Sequence, residues 1–397
     1  MYELLNQSEL LTSKVSLKFK RYLFDKINWN NRLIGIKGAR GTGKTTMLLQ
    51  WLNEQKSPAN KAAYFTLDDL YFLTNTVVDT AAQFYREGGK ILVLDEVHKY
   101  PQWGKEIKII YDRYPDLQII FTGSSIIDIS RQEGDLSRRA LMHELVGLSY
   151  REYLDFRDII KMEPIDLKVI MDTEQKNKLS LPPDFRPLQH FGDYLKFGYY
   201  PFYTEDQEGY LQRLRQLTRF IVEYDMADQQ GFDIRNGKKI LQLLIIIAQQ
   251  VPFKPNLVKL AEKTNIHRNS LANYLYFLDE ARLLKLLYPA GKSIAALQKP
   301  EKIFLNNCNL LYALSSQEPS MGTLRETFAL SHLSMAHHVT LPKTGDFLVD
   351  DKILLEIGGK AKTSKQLEGA PDAWVVRDDI EHVVSNAIPL WLLGFLY

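Results

Sequence analysis

The N-terminal third of the chain alternates between short, nearly unbroken apolar runs and longer stretches with helical spacing. The runs are Arg32-Leu-Ile-Gly-Ile-Lys37, Ala62-Ala-Tyr-Phe-Thr66, Ile91-Leu-Val-Leu94 and Gln118-Ile-Ile-Phe-Thr122. A strand buried on both faces reads this way, because neither set of alternating side chains meets water. Thr45 to Leu52, Val77 to Tyr85 and Trp103 to Tyr114 carry helical spacing, and residues 1–31 read as one or two short helices. Strands alternating with helices predict an α/β fold with a parallel sheet covered on both faces.

The pattern changes after Tyr150. Residues 151–235 are rich in aromatic and charged side chains, and Pro182-Pro183 and Pro187 mark a loop. Helical spacing returns over Lys238–Gln250, Asn256–Lys263 and Arg268–Leu287. Strand-like runs follow near Phe347 to Val349, Ile353 to Ile357 and Trp374 to Val376. The expected organisation is a core over 1–150, a helical lid or linker over 151–235, a helix-turn-helix segment over 236–300 and a small α/β domain over 301–397.

Length changes the picture little: 397 residues suit two to four domains. One cysteine, Cys308, excludes a disulfide framework within the chain and argues against a cysteine-based zinc site. The apolar runs Leu243 to Ala248 and Ile388 to Leu396 are far short of the ~20 residues a spanning helix needs. The N-terminus lacks a signal-peptide pattern, so a soluble cytoplasmic protein with no membrane partner is expected.

The chemistry begins where the first run breaks. Gly38-Ala-Arg-Gly-Thr-Gly-Lys-Thr45 fits G-x-x-x-x-G-K-[ST], after a predicted strand and before a predicted helix. Glycines let backbone N–H groups turn around a phosphate chain, and the helix N-terminus faces the same anion. Gly38, Arg40, Gly41, Thr42, Gly43, Lys44, Thr45 and Thr46 form the candidate nucleotide-binding set. Lys44 is expected to reach the β- and γ-phosphates, and Thr45 to offer its hydroxyl to Mg²⁺.

The run Ile91 to Leu94 ends in Asp95-Glu96, a carboxylate pair at a strand tip, where open α/β sheets bind ligands. Asp95 is expected in the Mg²⁺ shell. Glu96 is expected to orient or deprotonate water. Thr122 or Ser124, ending the next strand, would hydrogen-bond the γ-phosphate or that water. Arg138 or Arg139 is either an arginine finger or a solvated helix charge. His98 either senses phosphate or simply packs beside the carboxylates.

Four blocks, in order, resemble a prokaryotic family of AAA-type P-loop ATPases with a C-terminal domain of unknown function. They are Ile36 to Leu49; Asp95 to Trp103 with Ile120 to Ser125; Leu148-Ser-Tyr-Arg-Glu-Tyr153; and Leu195-Lys-Phe-Gly-Tyr-Tyr-Pro201. The resemblance implies an AAA-like core, a helical region, a winged-helix segment and a nuclease-like C-terminal domain. It also implies ATP rather than GTP as the nucleotide.

Charge then singles out residues 235–302, which carry 12 Lys/Arg and four Asp/Glu, a net of +8 in a chain whose formal net charge is +2. Two helices, a turn and a third basic helix resemble a winged helix-turn-helix, with Arg268, Asn269, Ser270 and Asn273 leading its recognition helix. Duplex DNA, or a protein partner or second copy, is the expected ligand. Residues 301–397 resemble a PD-(D/E)xK nuclease core carrying Asp346 and Glu356. Gly358 stands where the lysine belongs and Lys360 lies two residues beyond, so nuclease activity is not expected. The sequence reading is Mg²⁺-dependent ATP hydrolysis. Its alternatives are a nucleotide-gated DNA-binding switch with little turnover, or an ATP-regulated nuclease.

Overall fold

The computed structural model describes residues 1–123, 136, 138–172, 181–226, 236–291, 299–359 and 372–397. They fall into two compact units, Met1–Gly147 and Leu148–Tyr397.

The sheet of the first unit has five parallel strands: β1 (Leu33–Lys37), β2 (Ala62–Thr66), β3 (Ile91–Asp95), β4 (Gln118–Gly123) and β5 (Leu141–Glu144). Their spatial order is β2-β3-β4-β1-β5. The helices are α1 (Tyr2–Lys14), α2 (Leu23–Lys26), α3 (Lys44–Glu54), α4 (Val77–Arg86) and α5 (Trp103–Arg113). The four apolar runs are β1 to β4, and each serves two cores by alternation. Phe65, Leu92, Leu94, Ile119 and Phe121 pack with Phe84, Trp103 and Ile107 of α4 and α5. Ile34, Ile36, Tyr64, Val93 and Ile120 pack with Met47, Leu48 and Trp51 of α3. Period two is present but invisible in the sequence, because both faces are buried. β5 is an addition to the expected sheet. Its sequence, Leu-Met-His-Glu, lies at an edge with Leu141 exposed, so no apolar run marks it.

The other edge is β2, and α1 covers it. The Tyr64 N–H, pointing away from β3, donates to the buried Ser8 Oγ at 2.8 Å. Asn53 Nδ2 of α3 donates to the Thr12 carbonyl at 2.8 Å and ties the same helix down.

The second unit starts with α6 (Tyr150–Phe156), α7 (Leu167–Met171), α8 (Pro187–Phe197) and α9 (Tyr210–Phe220). Next come α10 (Gly237–Ala248), α11 (Leu257–Thr264) and α12 (Arg268–Glu280). An antiparallel pair, β6 (Leu284–Leu287) with β7 (Lys302–Leu305), follows. The helix expected over Arg268–Leu287 thus ends at Glu280. Arg282 turns the chain with φ 59°, and Leu283 to Leu287 is too evenly apolar for its period to separate helix from strand. After α13 (Cys308–Leu314) and α14 (Met321–Ala336) comes a mixed sheet of β8 (Val339–Thr340), β9 (Phe347–Val349), β10 (Ile353–Gly358), β11 (Ala373–Arg377) and β12 (Ala387–Pro389). Its order is sequential, with β8, β9 and β10 antiparallel and β10, β11 and β12 parallel. The helix expected near Ser364 lies outside the described residues.

The two family-like blocks of this unit make packing and capping contacts. Ser149 and Glu152 form a capping box at the start of α6, and Ser149 Oγ and Arg151 Nε donate to the Tyr397 backbone oxygen at 2.8 and 2.9 Å. A Cβ on Gly198 would meet the rings of Tyr194 and Tyr153 at 2.4 and 2.7 Å, so only glycine fits between them.

Removing the Ser8 hydroxyl strands the Tyr64 amide beneath α1. Ser8→Ala is expected to destabilise the first unit by about 1–3 kcal/mol. The check is the urea midpoint of its unfolding transition, together with faster hydrogen exchange at Tyr64.

Candidate functional site

β1, β4 and β3 are neighbours, so the loop after β1 and the carboxylates after β3 flank the end of β4. Gly41 and Gly43 hold φ of 79° and 92°, left-handed values that glycine adopts without penalty. Gly38 meets a different limit: a Cβ there would lie 2.1 Å from the Leu145 carbonyl oxygen just past β5. The loop opens directly into α3 at Lys44.

Lys44 is buried, and its Nζ donates to the carbonyls of Gly38 and Ala39 at 2.8 and 2.9 Å. The Thr42 hydroxyl donates to Ala39 O at 2.9 Å. A residue that sequence reasoning misses secures the loop from below. Arg21 is almost wholly buried. Its guanidinium donates to the Thr42 carbonyl, and also to Val146 O and Gly147 O at 2.8 and 2.9 Å. Only its lack of solvent identifies it, and no spacing in the sequence announces that.

The Asp95 carboxylate is the meeting point. Thr45 Oγ1 donates to Oδ2 at 2.6 Å, and the Tyr64 hydroxyl to the same oxygen at 2.7 Å. The Thr122 hydroxyl donates to Oδ1, as does the Glu96 N–H at 3.1 Å. Tyr64, on β2, also escapes a sequence reading, because it looks like one more core aromatic. Burial first, then the Asp95 charge, pushes its phenol far above the ordinary value, so it acts as a donor throughout the working pH range. Glu96 takes φ 52°, ψ 39°, unusual for a residue with a Cβ. Its Oε2 lies 3.3 Å from His98 Nε2 and 4.0 Å from an Arg40 nitrogen. His98 is held down at about 3 by burial and then by Arg40, Lys99 and Lys44. The imidazole is therefore neutral at neutral pH, so its contact with Glu96 is not an ion pair, and its tautomer decides whether Nε2 donates to Glu96 or accepts from Arg40 Nη2 at 3.4 Å.

The structure thus brings together Lys44, Thr45, Asp95, Glu96 and Thr122 and adds Arg40 and His98 beside them. Ser124 lies outside the described residues. Arg139 makes a two-pronged contact with Asp112, Nε to Oδ1 at 3.0 Å and Nη2 to Oδ2 at 3.2 Å. Asp112 lies in the last turn of α5, which leads to the start of β4, and Arg139 lies two residues before β5. That pair lies at the end of the sheet where the parallel strands begin, while the glycine loop and Glu96 follow the ends of β1 and β3, so the arginine is not brought to Glu96. An oxygen pair such as Thr45 and Asp95 suits Mg²⁺, which takes few protein ligands and completes its shell with phosphate and water.

In the second unit, Lys302 Nζ lies 3.4 Å from Glu326 Oε2 and 3.9 Å from Asp346 Oδ1, while Asp346 Oδ2 accepts the Ile357 N–H at 2.8 Å. Burial raises the Glu326 carboxyl above the ordinary carboxylate range, against the opposing charge of Lys302. Glu356 is buried on β10, and Lys360 lies outside the described residues. Among the described residues no three His, Cys, Asp or Glu side chains are grouped so as to hold a metal ion, and no helix is long and apolar enough to cross a membrane.

Residues 30–154 match the family model of an AAA domain, and residues 188–321 match a domain of unknown function, DUF8612. An uncharacterized protein of Methanocaldococcus jannaschii is 27% identical over 404 aligned positions, covering 91% of this chain and 84% of its own. The Walker-type ATPase of Pyrococcus abyssi is similar at 15% identity and TM-score 0.42, over 77% of this chain and 99% of its own. DnaA from Aquifex aeolicus, solved with AMPPCP, is similar at 14% identity and TM-score 0.27, over 68% and 86%. The matched segment and the loop geometry together make the first unit an AAA-type P-loop domain.

Arg21→Met keeps the volume but leaves three carbonyls without this donor. It is expected to cost about 2–4 kcal/mol. Urea unfolding measures that loss, and faster hydrogen exchange over residues 38–46 would place it at the loop.

Proposed function

We propose that the first unit binds Mg·ATP and hydrolyses it. The observation that carries this reading is the 2.6 Å bond from the Thr45 hydroxyl to the Asp95 carboxylate, with Lys44 in the same loop. Metal and phosphate charge would be met there from both sides. On this reading Lys44 exchanges its two loop carbonyls for the β- and γ-phosphates, and the N–H groups of residues 38–46 surround the phosphate chain. Thr45 and Asp95 would hold Mg²⁺, whose charge would offset that of the phosphates. Glu96 orients the water and accepts its proton, and Thr122 fixes Asp95 and the backbone of Glu96. Most of the rate comes from positioning and charge stabilisation. Arg138 and Arg139, at the end where the parallel strands begin, would serve only across a contact with a second copy.

A second reading joins this chemistry to nucleic acid. Lys259, Lys263, His267, Arg268 and Asn273 are exposed along α11 and the start of α12, before the β6–β7 hairpin. That layout suits a winged helix with a basic face, although the side chain of Asn269 is not described. The alternative of a gated switch differs only in turnover. The mixed sheet beyond Met321 is read as a nuclease-like fold without the chemistry. Position 358 shares a face with Glu356 but carries glycine, so no lysine is presented beside that carboxylate from β10 and plasmid nicking is not expected.

Lys44→Ala is expected to weaken Mg·ATP binding at least tenfold, about 1.4 kcal/mol, in a fluorescent-nucleotide titration. Glu96→Gln should keep binding and lose ~10²-fold in turnover. Unchanged affinity in the first, or unchanged turnover in the second, removes the assigned role.

Charge reversal at Lys263 and Arg268 together should weaken duplex binding by fluorescence anisotropy. It should also flatten the log–log salt dependence by about 0.9 for each phosphate that is no longer neutralised. A wild-type chain that shows no binding at ~50 mM salt leaves the basic helices a packing or partner surface.

A further inference from the structure

Glu96 is aimed by its backbone. In the left-handed conformation its N–H turns back onto Asp95 Oδ1 at 3.1 Å and Thr122 Oγ1 at 3.4 Å. The side chain then leaves β3 toward the glycine loop, where Oε2 meets His98 Nε2 at 3.3 Å and the Arg40 guanidinium at 4.0 Å. Arg40 Nη2 lies 3.4 Å from the same His98 nitrogen, closing a triangle. The His98 side chain is 3% exposed, against 19% for Arg40 and 23% for Glu96. The histidine is the fixed corner, and the two charged groups keep solvent and room to move.

The triangle cannot be satisfied in one way only. A neutral imidazole nitrogen either donates or accepts. With its proton on Nε2, His98 donates to Glu96; with the proton on Nδ1, it accepts from Arg40. Arg40 therefore chooses between His98 with Glu96 and any stronger anion that reaches the loop. A terminal phosphate carries more charge than a carboxylate, and a guanidinium binds phosphate in two-pronged fashion.

We propose that Arg40 is a positioning residue for Glu96 that reads the terminal phosphate of a nucleoside triphosphate. Without nucleotide, Arg40 and His98 hold the carboxylate over the loop. A third phosphate draws Arg40 away and frees Glu96 to take the water. A diphosphate leaves the hold in place. This rests on the nucleotide-hydrolysis reading and adds to it a residue that separates triphosphate from diphosphate.

The test compares binding of the β,γ-methylene analogue of ATP with binding of ADP, both with Mg²⁺, in the full chain. Arg40→Ala is expected to lower the ratio of triphosphate-analogue affinity to ADP affinity about tenfold, the lower part of the usual coupling range. Arg40→Lys, which keeps a point charge without the fork, should fall between. Nitrogen-15 histidine spectra give a readout that folding alone does not move. The His98 signals, assigned with His98→Gln, should change tautomer signature on adding the triphosphate analogue but not ADP, and Arg40→Ala should abolish that difference. Circular dichroism confirms that each variant is folded. If wild type binds both nucleotides and Arg40→Ala keeps the same preference between them, the proposal is overturned while the hydrolysis reading stands. If wild type binds neither, the hydrolysis reading falls and this proposal falls with it.

Discussion

One carboxylate organises the first unit. Asp95 receives hydrogen bonds from α3 through Thr45, from β2 through Tyr64, from β4 through Thr122 and from the following backbone N–H. A buried charge is tolerated only when such donors replace water. Each side-chain donor also sits on a different element, so satisfying Asp95 fixes the relative height of three strands and the helix after the loop. The same constraint holds Glu96 in its left-handed turn. Fold and site are here a single arrangement: loosening the carboxylate would release both.

What the sequence discloses depends on whether the relevant neighbours are close along the chain. The glycine loop, Lys44, Thr45 and the Asp95-Glu96 pair are each local patterns, and the strands they need are local apolar runs. The partners of those groups are not local. Arg21 reaches Val146 across 125 positions, and Ser8 meets Tyr64 across 56. An arginine, a serine and a tyrosine of this kind carry no spacing that distinguishes them from surface or core residues. β5 is invisible to such a reading because an edge strand needs no apolar run. Leu283 to Leu287 passes for helix because a fully apolar stretch has no period. Arg139 resembles a spare charge only because Asp112 lies on another element.

The second unit shows how a family-like block can be structural. Ser149 and Glu152 satisfy each other at a helix start, Arg151 holds the Tyr397 oxygen, and Gly198 slots between two tyrosine rings. Around them Tyr150, Tyr153, Tyr194, Phe191 and Phe328 stack edge to face. Such rings bury large areas with few rotors to freeze, which lets an aromatic cluster set geometry. The motif residues here are legible as a pattern, but their task is read only from what they touch.

The helix lying along β2 has a meaning beyond stability. Parallel sheets end in two strands whose outer N–H and C=O groups invite any passing strand to pair. On one side the molecule answers with a four-residue strand bearing a histidine and a glutamate, too short and too polar to template growth. On the other it spends its first fourteen residues. Those residues carry no recognisable chemistry and would look dispensable to anyone trimming the chain to its motif-bearing part. A version lacking them would keep every phosphate-loop residue yet present β2 bare, an open edge on which copies of the chain would add strands to one another.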